Sequence, residues 1–168
     1  MKELDLDRIN ATAPYKVFNT GRYHYYGFRT KAGVVLFVGF DDDDLLSTES
    51  YQFSIVNGND KPSPRDNGVK DTVFAIINEF FRVNNATMLY ICETGDGRQA
   101  MRSRLFSHWF SAFSDKGKYS ILQSSIVDSE NIENYFAIIL RNDNPNLQQV
   151  ITEFTSTVNF FSHKPDDQ

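Results

Sequence analysis

Two carboxylates and two arginines crowd one short stretch, Glu93-Thr94-Gly95-Asp96-Gly97-Arg98, with Arg102 four residues further on. A guanidinium presents a planar fork of donors that matches a carboxylate or a phosphate. A helix opening at this point adds N–H groups without partners and a partial positive charge. Glu93, Asp96, Gly97, Arg98 and Arg102 therefore have the makings of an anion-binding turn. The same residue types also make a structural salt bridge, with Glu93 and Asp96 neutralising the arginines. In a third arrangement the guanidinium groups reach water along their own stems.

Elsewhere the chemistry is thinner. Asp41 to Asp44 is a run of four carboxylates. It lacks the alternating acids, central Gly and final Glu of a calcium loop, so it reads as a solvated loop that discourages edge pairing. Cys92 is the only cysteine and lies in an apolar run, which excludes disulfides within the chain and reads as a buried structural thiol. His24, His108 and His163 show no zinc spacing. There is no phosphate-binding loop, no dinucleotide fingerprint and no nucleophile elbow.

The net charge of −5 argues against a protein that coats nucleic acid by charge. Arg98, Arg102, Arg104, Lys116 and Lys118 against Asp115 still leave room for a local basic patch. No run is long and apolar enough to span a membrane, and Met1 to Asn10 lacks the apolar core of a signal peptide. The cytoplasm is the expected compartment.

The elements that must hold the arginine turn are legible from periodicity. Met88 to Cys92 is an apolar run suited to a central strand covered on both faces. Asp96 and Gln99 have the spacing of a capping box opening a helix over 97–113. At about 100° per residue, Met101, Leu105, Trp109, Ala112 and Phe113 form its apolar arc. Phe106 and Phe110 fall on one edge of that arc, Arg102 near its middle, and Arg104 on the solvent side.

Before this unit, Tyr15–Phe18, Tyr23–Thr30, Val34–Phe40 and Tyr51–Val56 read as strands, the second and third forming a hairpin around Lys31-Ala32-Gly33. Residues 1–13 read as a polar lead-in, with Leu4, Leu6 and Ile9 packing on the body. Residues 57–68 form a long polar loop. Asp71 is placed to cap a helix ending near Asn84, with Val73, Ile76, Ile77, Phe80 and Phe81 inward and Glu79 and Arg82 outward. Tyr119–Val127 and Asn134–Leu140 read as a second hairpin. Asn144-Pro145 then opens a last helix, with Leu147, Val150, Ile151, Phe154, Val158 and Phe161 as its stripe, and residues 163–168 as a frayed tail.

The run Ile91-Cys92-Glu93-Thr94-Gly95-Asp96-Gly97-Arg98-Gln99-Ala100, followed by Arg102, Arg104-Leu105-Phe106 and Trp109-Phe110, resembles an uncharacterised bacterial family, mostly from Bacteroidetes, known only as a domain of unknown function. That resemblance extends over most of the chain and implies kinship without an activity. The order of elements is also similar to the later part of acetyl-CoA-dependent N-acetyltransferases. There, a turn of Gln/Arg-x-x-Gly-x-Gly/Ala type cradles the cofactor pyrophosphate. On that similarity Arg65, Gly68 and Lys70 would meet a CoA-type cofactor, although Lys70 stands where a small residue belongs.

The fold expected is one α+β domain over residues 1–168. It has a mixed or mostly antiparallel sheet of about six strands and three helices, in the order β-β-β-β-α-β-α-β-β-α. The function expected is a non-enzymatic binding or regulatory module, with a protein or a small anionic ligand as partner. An acetyltransferase-like protein binding acetyl-CoA is the alternative.

Overall fold

The computed structural model describes residues 1–92, 94–111 and 116–163. In chain order the elements are α1 (Leu6–Thr12), β1 (Val17–Asn19), β2 (Tyr25–Arg29), β3 (Val35–Asp43), β4 (Ser50–Asn57), α2 (Asn67–Val83), β5 (Thr87–Ile91), α3 (Gln99–Ser111), β6 (Tyr119–Val127), β7 (Glu133–Arg141) and α4 (Leu147–Ser162). This is the α+β class and the element order read from the sequence, with seven strands and an added first helix. The chain forms two compact units interleaved in sequence: Met1–Asp42 with Gln52–Asn85, and Asp43–Tyr51 with Ala86–Gln168. Among the described residues, no helix is long and apolar enough to cross a membrane.

In the first unit, β1 pairs antiparallel with β2 and β2 with β3, so that Tyr25 faces Gly39 and Gly27 faces Phe37. Those glycines are required by close approach. A Cβ on Gly39 would stand 2.3 Å from the Tyr25 ring, and one on Gly27 would stand 2.6 Å from Phe18. Leu36, Val38 and Phe40 alternate inward along β3. The Phe40 ring stacks on Phe80 of α2 at 4.6 Å and leans on Phe53 at 5.7 Å.

Residues 1–13 are not a plain lead-in. Asp5 caps α1 by accepting the N–H groups of Asp7 and Arg8. Leu4 and Ile9, both buried, stand at the two positions of a hydrophobic staple around that cap. Helix α2 also starts earlier than the sequence suggests. Its cap is Asp66, which accepts the Gly68 N–H at 2.8 Å, and not Asp71. The acidic run is not a loop either: Asp41 to Asp43 extend β3.

Glu79 faces inward, against expectation, with only 4% of its side chain exposed. Its carboxylate accepts two bonds from Arg82 at 2.8 Å and the Asp5 N–H at 3.1 Å, and Arg8 stands 3.6 Å away. A carboxylate this buried is tolerable because its lone pairs are met. It ties the start of α1 to the last turns of α2.

In the second unit, β7 lies between β5 and β6 and is antiparallel to both. Ala137, Ile138, Ile139 and Leu140 are all 3% exposed or less, so both faces of β7 are covered. Successive side chains point to opposite faces. On one face Leu89, Ile138 and Leu140 gather with Leu46 and with Val150 and Phe154 of α4. On the other, Tyr90 stacks on Phe106 of α3 at 4.1 Å. Helix α4 begins at Leu147, after a turn in which Asn144 accepts the Asn146 N–H, so Pro145 precedes the helix.

Arg82 first, then the Asp5 N–H, holds the Glu79 carboxyl below its ordinary value of 4.5 against the opposing effect of burial. A depressed folded value adds stability above the unfolded pKa, and that stability is lost as pH falls through the folded value. Glu79→Gln should therefore unfold more easily at pH 7 by about 1–3 kcal/mol. Denaturant titrations should show its deficit against the parent shrinking as pH falls below 4.5. A deficit constant with pH would assign the loss to packing alone.

Candidate functional site

Residues 94–98, ahead of α3, form a polar turn closed by its own backbone. The Gly97 N–H donates to the Thr94 carbonyl at 3.1 Å, and Gly97 has φ of +68°, the left-handed region that glycine enters without steric cost. The Asp96 carboxylate then accepts the Arg98 N–H at 3.1 Å. Arg102, one turn into α3, reaches back and grips the same carboxylate with both ends of its fork, at 2.7 and 2.5 Å. Two parallel bonds between a guanidinium and a carboxylate form a strong, orientation-specific pair.

The pair lies at the surface, with the Arg102 side chain 31% exposed and that of Asp96 45%. Arg102 first, and the Arg98 N–H second, depress the Asp96 carboxyl to about 2. Beside the pair is an open cleft of about 480 Å3 lined by Ile91, Cys92, Thr94, Gly95, Asp96 and Asn134. Cys92 is buried there, and burial pushes its thiol pKa up, which keeps it protonated and poorly nucleophilic.

Of the five residues expected at the anion turn, the structure brings Asp96, Gly97, Arg98 and Arg102 together, while Glu93 lies outside the described residues. The capping box does not form. Gln99 instead donates to the Glu133 carbonyl of β7 at 3.2 Å, anchoring the start of α3 to the sheet.

The helix is also rotated from its expected setting. Phe106 and Phe110, placed at the edge of the apolar arc, are the buried centre, whereas Met101 and Leu105 are 52% and 50% exposed. Ala112 and Phe113 fall outside the described residues. This rotation explains Arg102: it sits at the margin of the buried face, where its fork reaches both solvent and Asp96.

Arg65, Gly68 and Lys70 stand at the start of α2. Arg65 is exposed ahead of α2, and Gly68 lies in the first turn of α2. The Gly68 N–H is taken by the Asp66 carboxylate, and the Tyr15 ring would stand 2.8 Å from a Cβ there.

A second polar concavity, about 180 Å3, is one that sequence reading misses. His24 enters it with φ of +57°, its ring 3.7 Å from that of Tyr23 and its buried Nε2 without a hydrogen-bond partner. Burial lowers the His24 pKa, which keeps the ring neutral at pH 7. Nothing in Arg22-Tyr23-His24-Tyr25 signals the left-handed backbone. In the acidic run, Asp41 accepts the Tyr25 hydroxyl, and Asp43 accepts the Ser50 hydroxyl at 3.1 Å. Among the described residues, no group of three or more His, Cys, Asp or Glu is placed to hold a metal ion.

The turn and its helix thus define an α+β protein with a surface guanidinium–carboxylate clasp beside an open cleft. Residues 65–156 match the model of a family of unknown function, DUF6169, and the chain belongs to that family. No curated protein and no solved structure matches the chain.

Carbon-detected NMR titration of the Asp96 carboxyl should give a pKa of about 2. In Arg102→Met the value should climb toward the ordinary 3.8, with the Arg98 N–H retaining part of the depression. An unchanged value in that variant would mean that the clasp does not persist in solution.

Proposed function

We propose that this chain is a non-enzymatic binding module that recognises an anionic group of its ligand at the turn 94–98 and the first turn of α3. One observation carries the reading: the Arg102 fork and the Arg98 N–H already hold a carboxylate, that of Asp96. A donor fork that grips two oxygens of one anion fits two oxygens of another, and Asp96 acts as an internal plug that a ligand carboxylate or phosphate displaces. The exposed Arg98, the helix N-terminus and the adjoining cleft add positive potential and space. The ligand is a small anion or an anionic group on a protein, met in the bacterial cytoplasm.

A thermal-shift titration with inorganic phosphate, acetate and CoA tests this reading, because a ligand of the folded state alone raises Tm by mass action. Phosphate should raise Tm saturably in the parent protein, more strongly in Asp96→Asn, and not at all in Arg102→Met. No shift in either the parent or Asp96→Asn overturns the proposal. A shift specific to CoA, lost on changing Arg65 or Gly68 and kept in Arg102→Met, replaces it with the acetyltransferase-like reading.

A further inference from the structure

The strand β6 stands at the end of the run β5-β7-β6, and among the described residues no strand lies beyond it. Its nine residues, Tyr119 to Val127, pair one to one with β7 from Tyr119↔Arg141 to Val127↔Glu133 without a bulge. The sequence YSILQSSIV carries no charge, no proline and no glycine. Edge strands are ordinarily kept short or protected by charges, prolines, bulges or a covering element, because a long bare edge is a template for another strand. The three-residue β1 is an edge of the short kind. β6 has none of the in-strand devices.

The hydrogen-bond phase identifies the residues that face outward. The Asn142 N–H donates to the Lys118 carbonyl at 2.8 Å, and the Asp128 N–H to the Ile132 carbonyl at 3.0 Å. Antiparallel pairing alternates, so the even-numbered residues of β6 turn their backbone groups toward β7. Ile121, Gln123 and Ser125 turn theirs out of the sheet.

We propose that β6 joins two copies of this chain, antiparallel about a twofold axis at Gln123, into one continuous sheet. Three features select a second copy over an unrelated strand. Gln123 is the midpoint of the outward set Ile121, Gln123 and Ser125, so the twofold brings all three into the contact. The outward set maps onto itself: Ile121 lies opposite Ser125 of the partner subunit, and Gln123 opposite Gln123 of the partner subunit. The absence of charge means that no like charges meet, the usual obstacle to a strand pairing with its own copy. The contact is isologous and therefore closes at two subunits. It is independent of the anion site.

The decisive experiment is sedimentation equilibrium of the full chain across the micromolar range. The parent should sediment as a dimer. Gln123→Pro should be a folded monomer, because its missing N–H faces away from β7 and costs no ladder bond, the one loss within the subunit being the exposed bond from the Gln123 amide to the Ser107 hydroxyl. Gln123→Lys and Gln123→Glu, each placing like charges across the axis, should be monomers alone and should form a mixed dimer when combined. This charge pair decides the matter if circular dichroism shows that Gln123→Pro is unfolded. A monomeric parent overturns the proposal. So does a dimer that survives in Gln123→Pro or in either charged variant alone, and so does failure of the mixture to re-form a dimer.

Discussion

A strand buried on both faces dictates what surrounds it. Ala137 to Leu140 leave β7 no polar side, so a sheet neighbour must satisfy each edge and a helix must cover each face. β5 and β6 supply the edges, α4 covers Leu89, Ile138 and Leu140, and α3 covers Tyr90. Residues 94–98, which lead into α3, lie at the surface, where backbone groups without protein partners meet water. Arg102 lies there with Asp96 and Arg98. The candidate site is thus a by-product of covering one apolar strand.

The two units treat their carboxylates differently. Glu79 is nearly inaccessible and is met by Arg82 and a backbone N–H, and it fastens one helix to another. Asp96 has the same kind of partners, a guanidinium and a backbone N–H, but they are open to water. Solvent weakens a pair of the second kind and makes it exchangeable. Similar donors therefore give a structural fastening in one place and a replaceable contact in the other, and burial makes the difference.

Much of this was legible in the sequence because strand and helix periods are local. The limits of Tyr119–Val127 follow from composition, as does the Tyr25–Asp43 hairpin up to its acidic end. What local periodicity does not show depends on tertiary partners. The helix at Leu6 is a short amphipathic piece that only the burial of Leu4 and Ile9 makes stable. The rotation of α3 is hidden in the sequence because its apolar residues are scattered around the helix between polar ones, so periodicity alone does not choose between Leu105 and Phe106. Glu79 looked outward on a helical wheel because the wheel does not include α1. Residue types alone mark the arginine turn, whereas the pairing of Arg102 with Asp96 depends on how α3 is turned against the sheet.

The glycines of the first hairpin constrain how such a chain diversifies. Gly39 lies beneath Tyr25 and Gly27 beneath Phe18, each ring occupying the volume a side chain would need. Neither member of such a couple is free to drift alone: a larger residue at 39 collides with the ring, and a smaller one at 25 uncovers backbone. Descendants of this sequence should keep both members or exchange both, so these pairs should emerge as correlated columns once enough relatives are compared.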